Sequence, residues 1–450
     1  MNKNSSRIFV SCIAVMLPIF LSCTKDSPIV SPDSSLSYSI EVKEVSCTEV
    51  FLAIRSSTVS NNTISIMRDS VLILQSKILS DTIIIDSGLA PSHQYKYLLI
   101  SGSSTYSATA VTMDTTSHEF SWQYFEFGDQ YHGSGGFSDI AIINDTLAYA
   151  VGIIYSAETG RRDSLGNWVD SHNVARWNGQ SWEQLSVHGY FNGYTTYGFI
   201  GCVLRYDSND IWFGPGNIIR WNAMGPSFMS TLLTGVAIKM CVDDMKNVYL
   251  VGSGGAISYY DGTKWQQEPS GTTLNLDDVY GRDGTVVAAG SDPSLGKGII
   301  LERNNSQWHT LVEGDVIDPN QIFKPKLYAS TQSVWIDEKG TIYAAGNLLY
   351  QYKFNQWDYV KSLSGNNLSP ANGRPWSFLH RVRGNKSNDF WIVGERNTLL
   401  HFNGMTWKQI GFLYDGTSDI NWRSIDVSEK LCVVVGNYGN QPVAMVVKYQ

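Results

Sequence analysis

Charge is scarce in this chain. Asp, Glu, Lys and Arg make up 16% of 450 residues, the formal net charge is −8, and no run of Lys or Arg occurs. A nucleic-acid partner and electrostatic docking on anionic lipid are therefore excluded, because both need clustered cations. Cysteine is equally sparse. None of the six is spaced as CxxC, so no zinc site is assigned. Cys47, Cys202, Cys241 and Cys432 each stand in an apolar, strand-like setting and read as small buried hydrophobes. HExxH, GxSxG, P-loop and EF-hand patterns are all missing, so no catalytic residue, cofactor or metal is assigned. Beyond the N-terminal stretch no segment reaches 18 apolar residues, and residues 36–114 show no helical period.

What is present begins with a targeting segment over residues 1–22. Lys3 and Arg7 give a basic start, and Ile8 to Leu21 is an apolar run too short to span a bilayer comfortably. It ends in Phe20-Leu21-Ser22-Cys23, which resembles a bacterial lipobox. The resemblance implies cleavage before Cys23 and lipidation there, so a membrane contact through the lipid alone. Loss of Lys3 and Arg7, with no acid, takes the formal charge from −8 to −10. Thr24 is not the Asp of inner-membrane retention, which implies the outer membrane. Lys25-Asp26 resembles the basic-acidic export signals of some surface lipoproteins.

After Cys23 and a Ser/Pro/Asp-rich tether (23–35), residues 36–114 alternate apolar and polar positions in short runs. Some seven strands in about 80 residues are the size of an immunoglobulin-like sandwich. Leu89-Ala90-Pro91-Ser92-His93-Gln94-Tyr95 resembles the L-x-P-x-x-x-Y segment of fibronectin type III modules, which implies a tyrosine corner. The Trp usual on an early core strand of that family is missing, and Phe51 is the candidate to replace it. Such modules serve as spacers or docking elements.

Residues 119–450 repeat one theme: a short apolar strand ending in Gly, a second strand, a tight turn, and an aromatic. Ile392-Val393-Gly394 leads to Asn403-Gly404 and Trp407; Leu250-Val251-Gly252 leads to Asp261-Gly262 and Trp265. A period of about 40–50 residues with several strands per unit marks a β-propeller. The Gly recurs seven times (152, 214, 252, 290, 346, 394 and 436), but the aromatic only six (Trp182, Phe228, Trp265, Trp308, Trp357, Trp407). The missing unit is Phe120-Ser121-Trp122-Gln123-Tyr124, which matches the strand around Trp182 and stands alone before the first repeat. The expectation is an all-β chain: a small sandwich, then seven blades, the ring closed by the N-terminal strand. Gly, Asn-Gly and Trp read as scaffold, with the Trp filling space between blades. The whole resembles bacterial envelope lipoproteins with a fibronectin type III-like module and DxWxVG…NGxxW repeats.

Function is sought on the propeller face where innermost strands begin, on the enlarged loops. They carry Tyr131, His132, Tyr155, Arg161, Trp168, Tyr190, Tyr194, Arg374, Trp376, Asn421, Trp422 and Arg423. Aromatic rings with a few amides and cations suit a glycan or protein ligand, so the expectation is a surface-anchored, non-catalytic binding lipoprotein of the cell envelope. A carbohydrate-active enzyme (hydrolase, lyase or glycosyl transferase) and an envelope-complex assembly factor are the alternatives. A glycosidase needs two carboxylates at a set separation. Glu158, Asp163, Asp278 and Glu395 are available, but spacing names no pair.

Overall fold

The computed structural model describes residues 9–12 and 38–450, without 58–62, 130, 132, 160, 163, 166–167, 192–193, 197, 215–216, 293, 315–326, 328–329, 361–362, 364–377 and 413–418. For 9–12, 161–162, 168, 189–191 and 194–196 it gives backbone only. The chain divides into two compact units, Met1–Ser117 with Asn403–Met405, and His118–Phe402 with Thr406–Gln450.

The first unit is a sandwich. One sheet orders Thr82–Ser87, Glu49–Ser56 and Tyr38–Val45; the other orders Val71–Lys77, Thr63–Arg68, Gln94–Ser101 and Ser104–Val111. Alternation sends Val50, Leu52, Ile54, Ile64, Ile66, Ile84, Tyr97 and Leu99 inward. The tyrosine corner is formed: the Ala90 amide donates to the Tyr95 hydroxyl at 2.9 Å. Asp86 is buried and satisfied by Arg68 (2.8 Å) and the Tyr97 hydroxyl (2.8 Å). Phe51 is buried as well. Phe9–Cys12 pairs antiparallel with Thr82–Ser87 at the edge of the first sheet.

The second unit has seven four-stranded antiparallel sheets, six of them meanders whose strands follow in sequence. Their innermost strands are Gly136–Asn144, Cys202–Asp207, Ala237–Val242, Asn275–Arg282, Thr331–Ile336, Leu379–Lys386 and Ile420–Val427, belonging to blades 1 to 7. Blade 7 takes its outer strand from Phe120–Glu126, which pairs with Gln441–Tyr449 in the register Tyr124 to Met445. The ring is a seven-bladed propeller closed by that strand. Apolar clusters fill the spaces between neighbours: Trp177 of blade 1 lies with Val433 and Val446 of blade 7, and Trp335 of blade 5 with Val382 and Ile392 of blade 6.

The repeated aromatics differ in what they do. Trp265, Trp308, Trp357 and Trp407 are buried as expected, but Phe228 is 49% and Trp122 41% exposed. All six lie on outermost strands; Trp122 of blade 7 rests against Phe412, just after the outermost strand of blade 6. The Asn-Gly and Asp-Gly turns also differ from two-residue hairpins. The loops at 178–181 and 261–264 have four residues, and only the Gly takes positive φ (94° and 91°). Asn178 and Asp261 instead accept backbone N–H groups with their side-chain oxygens, as at Ser181 (2.8 Å) and Lys264 (2.9 Å). Cys47, Cys202, Cys241 and Cys432 are buried, and no disulfide joins them.

Candidate functional site

Six of the seven innermost strands carry a β-bulge near their start. The register breaks between Phe137 and Asp139, Ala237 and Lys239, Leu276 and Asp278, Thr331 and Ser333, Leu379 and Arg381, and Trp422 and Ser424. A bulge gives one strand an extra residue and re-aims a side chain. The extra residues are Ser138, Ile238, Asp277, Gln332, His380 and Arg423. All six line one funnel of about 390 Å³ at the centre of the ring.

The strand-ending glycines explain the bulges. A Cβ on Gly152, Gly252, Gly290, Gly346, Gly394 or Gly436 would strike the carbonyl oxygen of Gly136, Val236, Asn275, Ser330, Phe378 or Asn421, at the bulged end of the facing strand. Blade 2 is the exception that fits. Gly214 faces the Cys202 sulfur instead of a carbonyl, and Cys202 pairs with it without a bulge at this end. The residues read as scaffold in the sequence are therefore what turns the funnel residues inward.

Within the funnel a polar relay crosses three blades. His380 Nδ1 lies 2.6 Å from Gln332 Oε1, its Nε2 lies 2.9 Å from Asn421 Oδ1, and Arg423 Nη1 stands 3.5 Å from Nε2. Burial, then the charge of Arg423, pulls the His380 imidazole down to about 3, so it is neutral at physiological pH. Burial also lowers Arg423. Asp277 accepts from the Ser291 hydroxyl at 3.0 Å, yet burial pushes its carboxyl up to about 7.

Behind this ring lies a second, buried layer. Asp139 takes Lys239 Nζ (2.5 Å), the Ser424 hydroxyl (2.8 Å) and the Val203 amide (3.1 Å). Asp278 takes Arg383 through both terminal nitrogens (2.7 and 3.0 Å), the Ser333 hydroxyl (2.6 Å) and the Val334 amide (3.1 Å). Burial alone would raise Asp278; Arg381 and Arg383 hold it below the usual carboxylate range instead. This layer ties blades 1, 2, 3 and 7 together, and blades 4, 5 and 6, through groups that satisfy one another.

The expected face residues fare unequally. Asn421 and Arg423 join the funnel relay. Trp422 does not: it is 1% exposed and sits in the apolar cluster between blades 6 and 7. The bulge at Arg423 accounts for this, since the residue before it keeps the inward orientation of the sheet. Tyr131 is 83% exposed on its loop, whereas Tyr155 is half-buried, with its carbonyl accepting from the Asp129 amide at 2.9 Å. Arg161 and Trp168 stand on one small hairpin and Tyr190 and Tyr194 on another, with side chains outside the described residues. His132, Arg374 and Trp376 lie outside the described residues altogether. Of the four carboxylates considered, Asp278 is fully committed to arginine.

Ser138, Ile238, Asp277, Gln332, His380 and Arg381 escaped the sequence reading. A signal was available: each bulge residue stands 13 or 14 positions before a strand-ending Gly, as His380 does before Gly394. A larger groove of about 890 Å³ lies beside blades 3 and 4, but it is lined chiefly by Gly, Ser, Thr and Pro. Its Glu268 is held by Arg303 (2.6 Å) and the Trp308 indole (2.8 Å).

No family model matches this chain, and no curated protein sequence does either. Solved structures do resemble it. YCF48 bound to D1 peptide is 13% identical with a TM-score of 0.52, over 75% of this chain and 97% of that one, and shares its propeller fold. The extracellular domain of a hybrid two-component system from B. thetaiotaomicron gives 10% and 0.47; the match covers 72% of this chain and 40% of that one. An auxiliary nutrient binding protein from Bacteroides ovatus gives 10% and 0.35, over 93% and 99%.

Proposed function

We propose that this chain is a non-catalytic binding protein of the bacterial cell envelope, and that the central funnel is where its ligand sits. One observation carries the reading: six blades each spend a β-bulge to aim one side chain into the same cavity. Bulges cost ladder hydrogen bonds, and repeating one around a ring is not needed for closure. A cavity of about 390 Å³ is within the usual size of a ligand site. The Cys23 lipobox supports outer-membrane anchoring with surface exposure, and the module at 36–114 then acts as a spacer holding the propeller off the lipid.

The funnel counts against the glycosidase alternative. Asp277 is the single carboxylate among its described lining residues, and hydrolysis of a glycosidic bond calls for two. The test titrates the full chain with polysaccharides, cell-wall fragments and peptides, following tryptophan fluorescence for binding and reducing ends for turnover. Saturable binding without product is expected. Product release would overturn the non-catalytic reading, and silence across the whole panel would overturn the funnel as a ligand site.

A further inference from the structure

The two walls of the funnel differ in chemistry. On the side of blades 1 to 3 stand Phe137, Ile153, Phe199 and Ile238; on the side of blades 4 to 7 stand Asp277, Gln332, His380, Arg381 and Arg423. The charged wall contains a cation whose needs are unmet. Arg381 is 7% exposed, and Nη1 lies 2.7 Å from Asp278 Oδ1, but neither Nε nor Nη1 makes an aligned hydrogen bond. Asp278 is already committed to both terminal nitrogens of Arg383, to Ser333 and to the Val334 amide. Asp139, the other buried anion, is neutralised by Lys239. A buried guanidinium with idle donors is costly, and a planar carboxylate is the group that matches its fork.

We propose that the funnel seats a carboxylate flanked by an apolar group, the arrangement at the C-terminus of a peptide. The carboxylate lies on Arg381 and Arg423, and the last side chain rests on Ile153, Phe199 and Ile238. The proposal rests on the funnel being the binding site. A sugar acid offers the carboxylate but surrounds it with hydroxyls, which leaves the apolar wall unmatched. A peptide end covers both walls at once, and Phe199, 53% exposed, gains most from being covered.

The experiment titrates the full chain by calorimetry with three probes: N-acetyl-glycyl-leucine as the free acid, its C-terminal amide, and glucuronic acid. The free acid binds, and the amide is weaker by about ten- to a hundredfold, the value of a hydrogen bond to a charged group. Arg381→Gln loses a similar factor for the acid, with melting curves confirming the fold; if that variant does not fold, Arg423→Gln carries the same test. Phe199→Ser weakens the acid but leaves the acid-over-amide ratio unchanged. Equal affinity for acid and amide overturns the proposal, and so does a folded Arg381→Gln that binds like the wild type. Glucuronic acid binding in preference to the peptide acid overturns the peptide assignment while keeping the funnel. Silence of all three probes overturns the proposal, and the polysaccharide and cell-wall panel then decides separately whether the funnel reading also falls.

Discussion

Asp277→Asn should stabilise the protein at pH 8 and leave it nearly unchanged at pH 4. Burial raises the folded-state carboxyl from 3.8 to about 7 against the opposing pull of the Ser291 hydroxyl and Arg381, with Asp278 adding repulsion. A raised acid makes the native state hold its proton more tightly than the unfolded chain does. Its contribution is therefore fully present below pH 4 and is lost as pH rises through about 7. The difference between 3.8 and about 7 corresponds to about 4 kcal/mol. Because the funnel mouth admits solvent, about 2–4 kcal/mol is the fair range. Asn keeps an oxygen for Ser291 and never ionises. Thermal melts of both proteins should show a Tm rise on the order of 5 °C or more at pH 8, shrinking toward zero at pH 4. An equal shift at both pH values, or none at pH 8, would refute the claim that the carboxyl is held neutral by burial.

Other perturbations have equally definite outcomes. His380 runs the opposite way: its lowered pKa means stability is lost as pH falls from about 6.5 toward 3, so His380→Gln should flatten the acid limb of the melt-versus-pH curve. Gly394→Ala places a methyl on the Phe378 carbonyl and should cost about 1–3 kcal/mol in denaturant titration while reducing ligand binding, because it displaces the His380 bulge. Trp422→Ala should cost about 3–5 kcal/mol through a core cavity, read by chemical denaturation, rather than act as a selective loss of binding.

The architecture was legible because it is written in repetition. Strand-ending Gly, the Asx-Gly loops and the buried Trp recur at blade spacing, and the lone strand around Trp122 betrayed the closure. The site was less legible for a geometrical reason. Alternation assigns side chains to faces only while the register holds, and a bulge shifts it by one at the start of six innermost strands, where the funnel is lined. Hence Arg423 reaches the funnel while its neighbour Trp422 is buried in the cluster between blades 6 and 7. The Gly at each blade looked like scaffold because a single residue was doing two jobs, ending a strand and making room for the carbonyl that drives the bulge. The pairing of Asp139 with Lys239 and of Asp278 with Arg383 spans 100 and 105 positions, which no local pattern reveals. Nor does the motif foretell the exposure of Trp122 and Phe228, since Trp265, Trp308, Trp357 and Trp407 hold the same outermost-strand position and are buried.

The most direct test sets the funnel against the exposed loops. Dissociation constants of the tightest ligand from the binding panel would be measured for wild type, His380→Ala and Tyr131→Ala, each with a native melt. The account predicts that His380→Ala loses affinity by about tenfold or more, since it breaks the relay joining Gln332, Asn421 and Arg423, while Tyr131→Ala binds like the wild type. Loss at Tyr131 with His380→Ala unaffected would place the ligand on the outer loops and contradict the funnel.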